Sequence, residues 1–177
     1  GQVIRYSTLA NQINVSVDSI RRWIGVLESF YYVFRVRPWF QNITTALRKE
    51  PKVYLWDWSQ VQDKGARYEN LIASHLLKAV HWWTDSGLGD YQLHYLRTKD
   101  QKKVDFLISK NNQPWLLVEA KSSGKQALSK HLAWFQEKTG AEYAFQLVLN
   151  LPYVDADCFA VRTPVKVPVE NLLMRLV

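Results

Sequence analysis

Apolar residues recur along the chain with two periods, and each change of period marks a new element. From Tyr6 to Asn14, Leu9, Ala10 and Ile13 fall on one side, which predicts a short helix. From Val17 to about Ser29 the helical spacing continues, with Ile20, Trp23, Ile24 and Leu27 as the expected inner face and Ser16 as its N-cap. Asp18, Arg21 and Arg22 fall on or near the opposite side. The pattern then becomes strand-like. Phe30 to Arg37 is rich in aromatic and β-branched residues and is expected to end at Pro38; Lys52 to Trp56 reads as a second strand. Between them, residues 41–51 read as a loop or wing carrying Arg48 and Lys49.

Two short helices with a tight turn, followed by a hairpin, make the pattern of a winged helix ending near Asp57. Residues 59–65 are polar and without period, so the expected boundary separates residues 1–60 from 61–177. A long helix, about 66–83, follows, with Tyr68, Leu71, Ile72, His75, Leu76, Ala79 and Trp83 as its buried stripe. After a loop at 85–90 come three strands, 91–97, 103–109 and 115–121, joined by segments with turn chemistry. Residues 126–138 read as a helix with Leu128, Leu132 and Phe135 inward, closed by Gly140. Residues 144–149 read as a strand, and the proline-bearing tail ends in a short helix, about 169–176. The second part therefore reads αβββαβ, an α/β (α+β) layer in which three meandering strands are antiparallel and the fourth can pair in parallel.

Composition changes this picture in three respects. The formal charge is +7, and residues 1–60 carry eight Lys/Arg against four Asp/Glu, which suits a polyanionic partner without requiring one. Cys158 is the single cysteine, so no intrachain disulfide can form; a reducing compartment, the cytoplasm, is expected. No apolar run is long enough to span a bilayer, and no signal peptide is visible. The first residues are Gly-Gln-Val and the only methionine is Met174, so the sequence is expected to be a piece of a longer protein.

The candidate chemistry lies in the hairpin 102–123. Asp105 sits within an apolar strand, and Glu119 and Lys121 project from one face of the next. A turn at 110–114 brings position 105 opposite roughly position 119, so all three groups are expected at one edge of the sheet. Burying an unpaired carboxylate costs several kcal/mol, and two side by side repel. A divalent ion relieves both, and oxygen ligands suit Mg²⁺ or Mn²⁺. With Lys121 to hold a water or phosphate oxygen, and Glu69 as a further carboxylate, the parts suffice for metal-assisted phosphodiester hydrolysis. The plainer alternative is an Asp105–Lys121 ion pair with Glu119 facing solvent. Spacing alone leaves both open.

Asp105, then Glu119-Ala-Lys121, within helix–three strands–helix–strand, resembles the PD-(D/E)xK nuclease superfamily, a restriction-endonuclease-like fold. That resemblance implies metal ligation by Asp105 and Glu119, accessory ligation by Glu69 and water activation by Lys121. The wider set Pro51-Lys-Val-Tyr-Leu-Trp-Asp57, Arg67-Tyr-Glu-Asn70, Leu96-Arg-Thr98 and Val118-Glu-Ala-Lys-Ser122 is similar to the uncharacterised C-terminal domain of prokaryotic AAA+ ATPases. The resemblance implies a partner module, a P-loop ATPase preceding the winged helix. This sequence has no G-x-x-x-x-G-K-[ST], so ATP would be bound only by that module.

DNA is the expected partner, with the oligomeric state left open. Arg21 and Arg22 are candidate contacts from the second helix, and Arg97, Lys99, Lys102 and Lys103 lie just before Asp105. The alternatives are an inter-domain joint and a solvated turn. His75 reads as a core residue, His81 and His131 lack zinc-like spacing, and Cys158 lacks the context of a nucleophile. The Trp82-Trp83 pair is core or an interface.

Overall fold

The structure is a computed structural model that describes residues 2–39 and 50–176. Its elements are β1 (Gln2–Val3), α1 (Tyr6–Gln12), α2 (Val17–Ser29), β2 (Val33–Pro38), β3 (Lys52–Leu55), α3 (Lys64–Asp85), β4 (Tyr91–Arg97), β5 (Lys103–Lys110), β6 (Gln113–Lys121), α4 (Lys130–Thr139), β7 (Tyr143–Val148), β8 (Val165–Pro168) and α5 (Val169–Leu173). Most of the expected wing, with Arg48 and Lys49, lies outside the described residues.

The strands form one mixed sheet in the order β1-β3-β2-β4-β5-β6-β7-β8. The meander β4–β5–β6 is antiparallel, as its short turns require. Asn111 and Asn112 both adopt positive φ, the left-handed conformation that a two-residue hairpin turn between Lys110 and Gln113 needs. β7 pairs with β6 in parallel after the α4 crossover, and β8 pairs in parallel with β7. The β2–β3 hairpin joins the same sheet through a short parallel pairing, Arg37 with His94 and Pro38 with Tyr95.

Period-two alternation sends the strands' side chains into two layers. Phe106, Ile108, Leu116, Val118, Phe145 and Leu147 pack with Ile72 and Leu76 of α3. Leu107, Leu117 and Ala144 pack with Leu132 and Phe135 of α4 on the other face. Each fully buried Leu, Ile or Phe contributes about 1.5–3 kcal/mol relative to an exposed one. Much of the aromatic content collects around Trp115, whose ring lies 5.5 Å from Trp83, 5.6 Å from Tyr91 and 5.7 Å from Phe159. Gly140 closes α4 at φ 71°, donating its N–H to the Gln136 carbonyl at 2.9 Å.

Several expectations are corrected. In α2, Ile20 and Ile24 are buried beside Ala10, but Trp23 is 43% exposed and Leu27 also faces outward. Two short helices bury only a narrow stripe, and the wider one has nothing to cover it within the described residues. Phe30, Tyr31 and Tyr32 form a turn rather than a strand start, with Tyr31 at φ 54°. α4 starts at Lys130, after Ser129, so Leu128 is exposed and outside the helix. β1 and β8 were not anticipated: each is short and lacks a pattern of its own, and each forms by pairing with a strand already in the sheet. Trp83 is buried, whereas Trp82 is 56% exposed.

Candidate functional site

β3 presents Lys52 and Tyr54 on one face by simple alternation, directed at the start of α3. There Lys52 Nζ donates to Glu69 Oε1 at 2.9 Å and the Tyr54 hydroxyl donates to the same oxygen at 2.7 Å. Asn70 fixes the approach: its amide donates to the Leu55 carbonyl at 2.6 Å, and its Oδ1 accepts the Leu55 N–H at 3.0 Å.

Asp105 reaches this group because of a bulge. His94 pairs with Leu107 and Leu96 with Val104, so Tyr95 alone stands opposite both Asp105 and Phe106. A bulge redirects the side chain it carries. Asp105 Oδ2 accepts the Ala120 N–H at 3.1 Å, and Oδ1 lies 3.8 Å from Lys52 Nζ. Lys52 also sits 5.5 Å from the Tyr95 ring and 5.8 Å from the Phe106 ring, so its charge is walled by aromatic faces.

The two carboxylates are shifted in opposite directions. Burial alone raises the Glu69 carboxyl, but the Lys52 charge and the hydrogen bonds from Lys52 and Tyr54 prevail and hold it below its ordinary value. For Asp105, burial and then the charge of Glu69 prevail over the more distant Lys52, and its carboxyl is raised. Burial, then Glu69, pushes the Tyr54 hydroxyl well above its ordinary value.

Glu119 is held differently. The register Phe106–Val118 brings Asp105 level with Glu119 along the backbone, as expected from the turn. Val118 and Ala120, however, pack in the α3 layer and Leu117 in the α4 layer, so alternation assigns Glu119 and Lys121 to the α4 side. Lys121 Nζ lies 2.7 Å from Glu119 Oε1, and Glu119 Oε2 is buried without a hydrogen-bond partner. The three carboxylates expected at one site are thus held by two different lysines: Glu69 and Asp105 by Lys52, Glu119 by Lys121. Asp105 does not pair with Lys121 in the ion pairs found.

These residues do not fit a resident divalent ion as arranged. Among the described residues, no group of three or more His, Cys, Asp or Glu side chains is placed to hold one. The two carboxylates that do approach each other already share a cation, Lys52.

Of the expected nucleic-acid contacts, Arg21 is exposed and bonded to Asp18 at 3.0 Å, and Arg22 is exposed beside it. Arg97 bonds Gln101. Lys102 pairs with Asp100 and lies 4.7 Å over the Trp134 ring. Lys103 is exposed, pairs with Arg97 across the β4–β5 ladder and draws the Asp105 carboxyl down slightly. Sequence reasoning missed Lys52, Tyr54 and Asn70. The available signal was a lysine two residues from a tyrosine in a strand whose alternate positions are apolar.

No helix among the described residues is long and apolar enough to cross a membrane. No solved structure gives a significant match. The uncharacterized proteins Mb2031c of Mycobacterium bovis and Rv2008c of Mycobacterium tuberculosis are each 24% identical over 130 residues, covering 65% of this chain and 28% of theirs. The chain thus matches little more than a quarter of the length of these relatives. Residues 1–62 match the model of a domain of unknown function (DUF8612). Residues 64–159, more than half of the chain, match a second such model, and the chain belongs to that family, the domain of unknown function DUF4143.

Proposed function

We propose that the chain is a C-terminal part of a AAA+-type ATPase, a winged-helix segment joined to a nuclease-like sheet, and that it serves as a binding and regulatory module without cutting DNA. What supports the ATPase context is the order of the motifs from Pro51 to Ser122. The observation that carries the non-cutting half is Lys52, which bonds Glu69 at 2.9 Å and lies 3.8 Å from Asp105. A lysine there neutralises Asp105, one of the two carboxylates that the nuclease pattern implies for its ion, and the accessory Glu69. The outward stripe Trp23, Val26 and Leu27 of α2, continued by Phe30 just past its end, favours a protein partner over a purely electrostatic one.

The test is plasmid nicking with Mn²⁺, using wild type, Asp105→Ala and Lys121→Ala, beside binding of a labelled duplex across a salt series. No nicking that depends on Asp105, with weak duplex binding, is expected. Steeply salt-dependent duplex binding without nicking makes DNA the partner. The second reading is a metal-dependent nuclease. It is favoured by the unpartnered, buried Glu119 Oε2 beside Lys121. Nicking lost in both variants establishes that reading and removes the first.

A further inference from the structure

The cation position of the acidic pair carries an inference that rests on the non-cutting reading and goes beyond it. Lys52 is 8% exposed and Asp105 6%, so each charge is withdrawn from water. Lys52 lies between carboxylates from two elements, the helix α3 and the bulged strand β5, and comes itself from a third, β3. The Tyr54 hydroxyl donates to the same Glu69 oxygen and fixes that carboxylate. With the ammonium gone, the two carboxylates are oxygen donors of the kind that Mg²⁺ and Mn²⁺ take together with waters. We propose that Lys52 stands in the place of a divalent ion, and that by occupying it β3 keeps Glu69 and Asp105 free of metal.

Several physical points favour substitution over coincidence. An ammonium is a compact point charge with three donors, and its nitrogen can take the centre of an oxygen shell. Its 2.9 Å hydrogen bond to Glu69 and its 3.8 Å approach to Asp105 are both longer than Mg–O distances of about 2.0–2.1 Å, so the two carboxylates must close in on an ion that takes its place. The fold gains from the exchange, because a covalently attached cation cannot dissociate and needs no supply from solution. The exchange also keeps a Lewis acid away from Asp105, one of the two carboxylates that the nuclease pattern implies for its ion. Lys52 is thus a positioning residue whose charge determines what Glu69 and Asp105 can bind.

Mn²⁺ binding, followed by the EPR signal of the free ion, tests this on the chain as it stands. Wild type and Lys52→Arg, which keeps the charge, are expected to show no saturable uptake that depends on Asp105. Lys52→Ala is expected to gain a site about tenfold or more tighter than any in wild type, and Lys52→Ala/Asp105→Asn to lose it. If Lys52→Ala does not fold alone, melts with and without Mn²⁺ decide the matter. Folding restored by Mn²⁺, and not by NaCl at equal ionic strength, upholds the inference; failure of Mn²⁺ to restore it overturns it. A folded Lys52→Ala that gains no site also overturns it, while leaving the non-cutting reading intact. Asp105-dependent uptake by wild type removes both.

Discussion

Asp105 and Glu119 stand on neighbouring strands of one hairpin, and each faces a lysine, but the two pairs belong to different kinds of construction. Lys52 comes from a strand far away in sequence and ties β3, α3 and β5 together through Glu69 and Asp105. Lys121 is two residues from Glu119 on the same strand, its side chain pairs with no second carboxylate among the described residues, and one oxygen of Glu119 has no hydrogen-bond partner among them. The first arrangement holds elements in place, with nearly every polar atom engaged. The second is local and leaves acceptor capacity unused. A carboxylate in an oily strand therefore does not by itself indicate chemistry; what matters is whether its partner arrives from another element or from its own neighbour.

The comparison breaks most visibly at Lys52. Lys52→Ala leaves the buried Asp105 and the half-buried Glu69 without their shared cation and is expected to cost about 3–5 kcal/mol in urea unfolding. Lys52→Ala/Glu69→Gln should recover part of that loss, because one of the two charges is gone. Next in size is Tyr54→Phe, which removes a 2.7 Å donor to a charged oxygen; a loss of about 1.5–3 kcal/mol is expected from the same measurement.

The pH dependence sharpens the contrast further. Glu69, with its carboxyl lowered in the fold, contributes stability that is present above its unfolded value and lost as pH falls through the folded one. Asp105, with its carboxyl raised, works in the opposite sense: the fold holds its proton more tightly, so its contribution falls as pH rises through the carboxylate range. The two slopes oppose each other in wild type. Asp105→Asn removes one, and its stability should drop more steeply on acidification, by about 1.4 kcal/mol for each pKa unit of the Asp105 shift. Urea midpoints from neutral pH down through the carboxylate range read this directly.

The smallest effect belongs to the other pair. Glu119→Gln keeps the shape and removes a charge whose second oxygen has no donor, so a change within about 1 kcal/mol is expected. A loss as large as that of Lys52→Ala would place Glu119 in a structural network and erase the distinction between the pairs.

The elements carried by long, strongly periodic stretches were legible: α2 within its bounds, the three-strand meander, the parallel fourth strand and Gly140 as a helix stop. Those resting on partners were not. Trp23 and Leu27 lie at core spacing on α2, yet α1 is too short to cover them. The site was half legible. The backbone register that sets Asp105 level with Glu119 followed from the turn. The bulge opposite Tyr95, which sends the Asp105 side chain toward β3, has no signature in the residues around it.

The amino-acid order alone determined the longer helices and strands and which polar groups lie in apolar strands, because those follow from local periodicity and turn chemistry, whereas β1 and β8 form only by pairing. Which lysine each carboxylate meets was decided only by the tertiary structure. Lys52 and Glu69 are seventeen positions apart, and Lys52 and Asp105 farther still. Only the pairing of hairpin, helix and sheet brings such groups within a few ångströms, and at that range the electrostatics of a buried charge is set by its nearest partners.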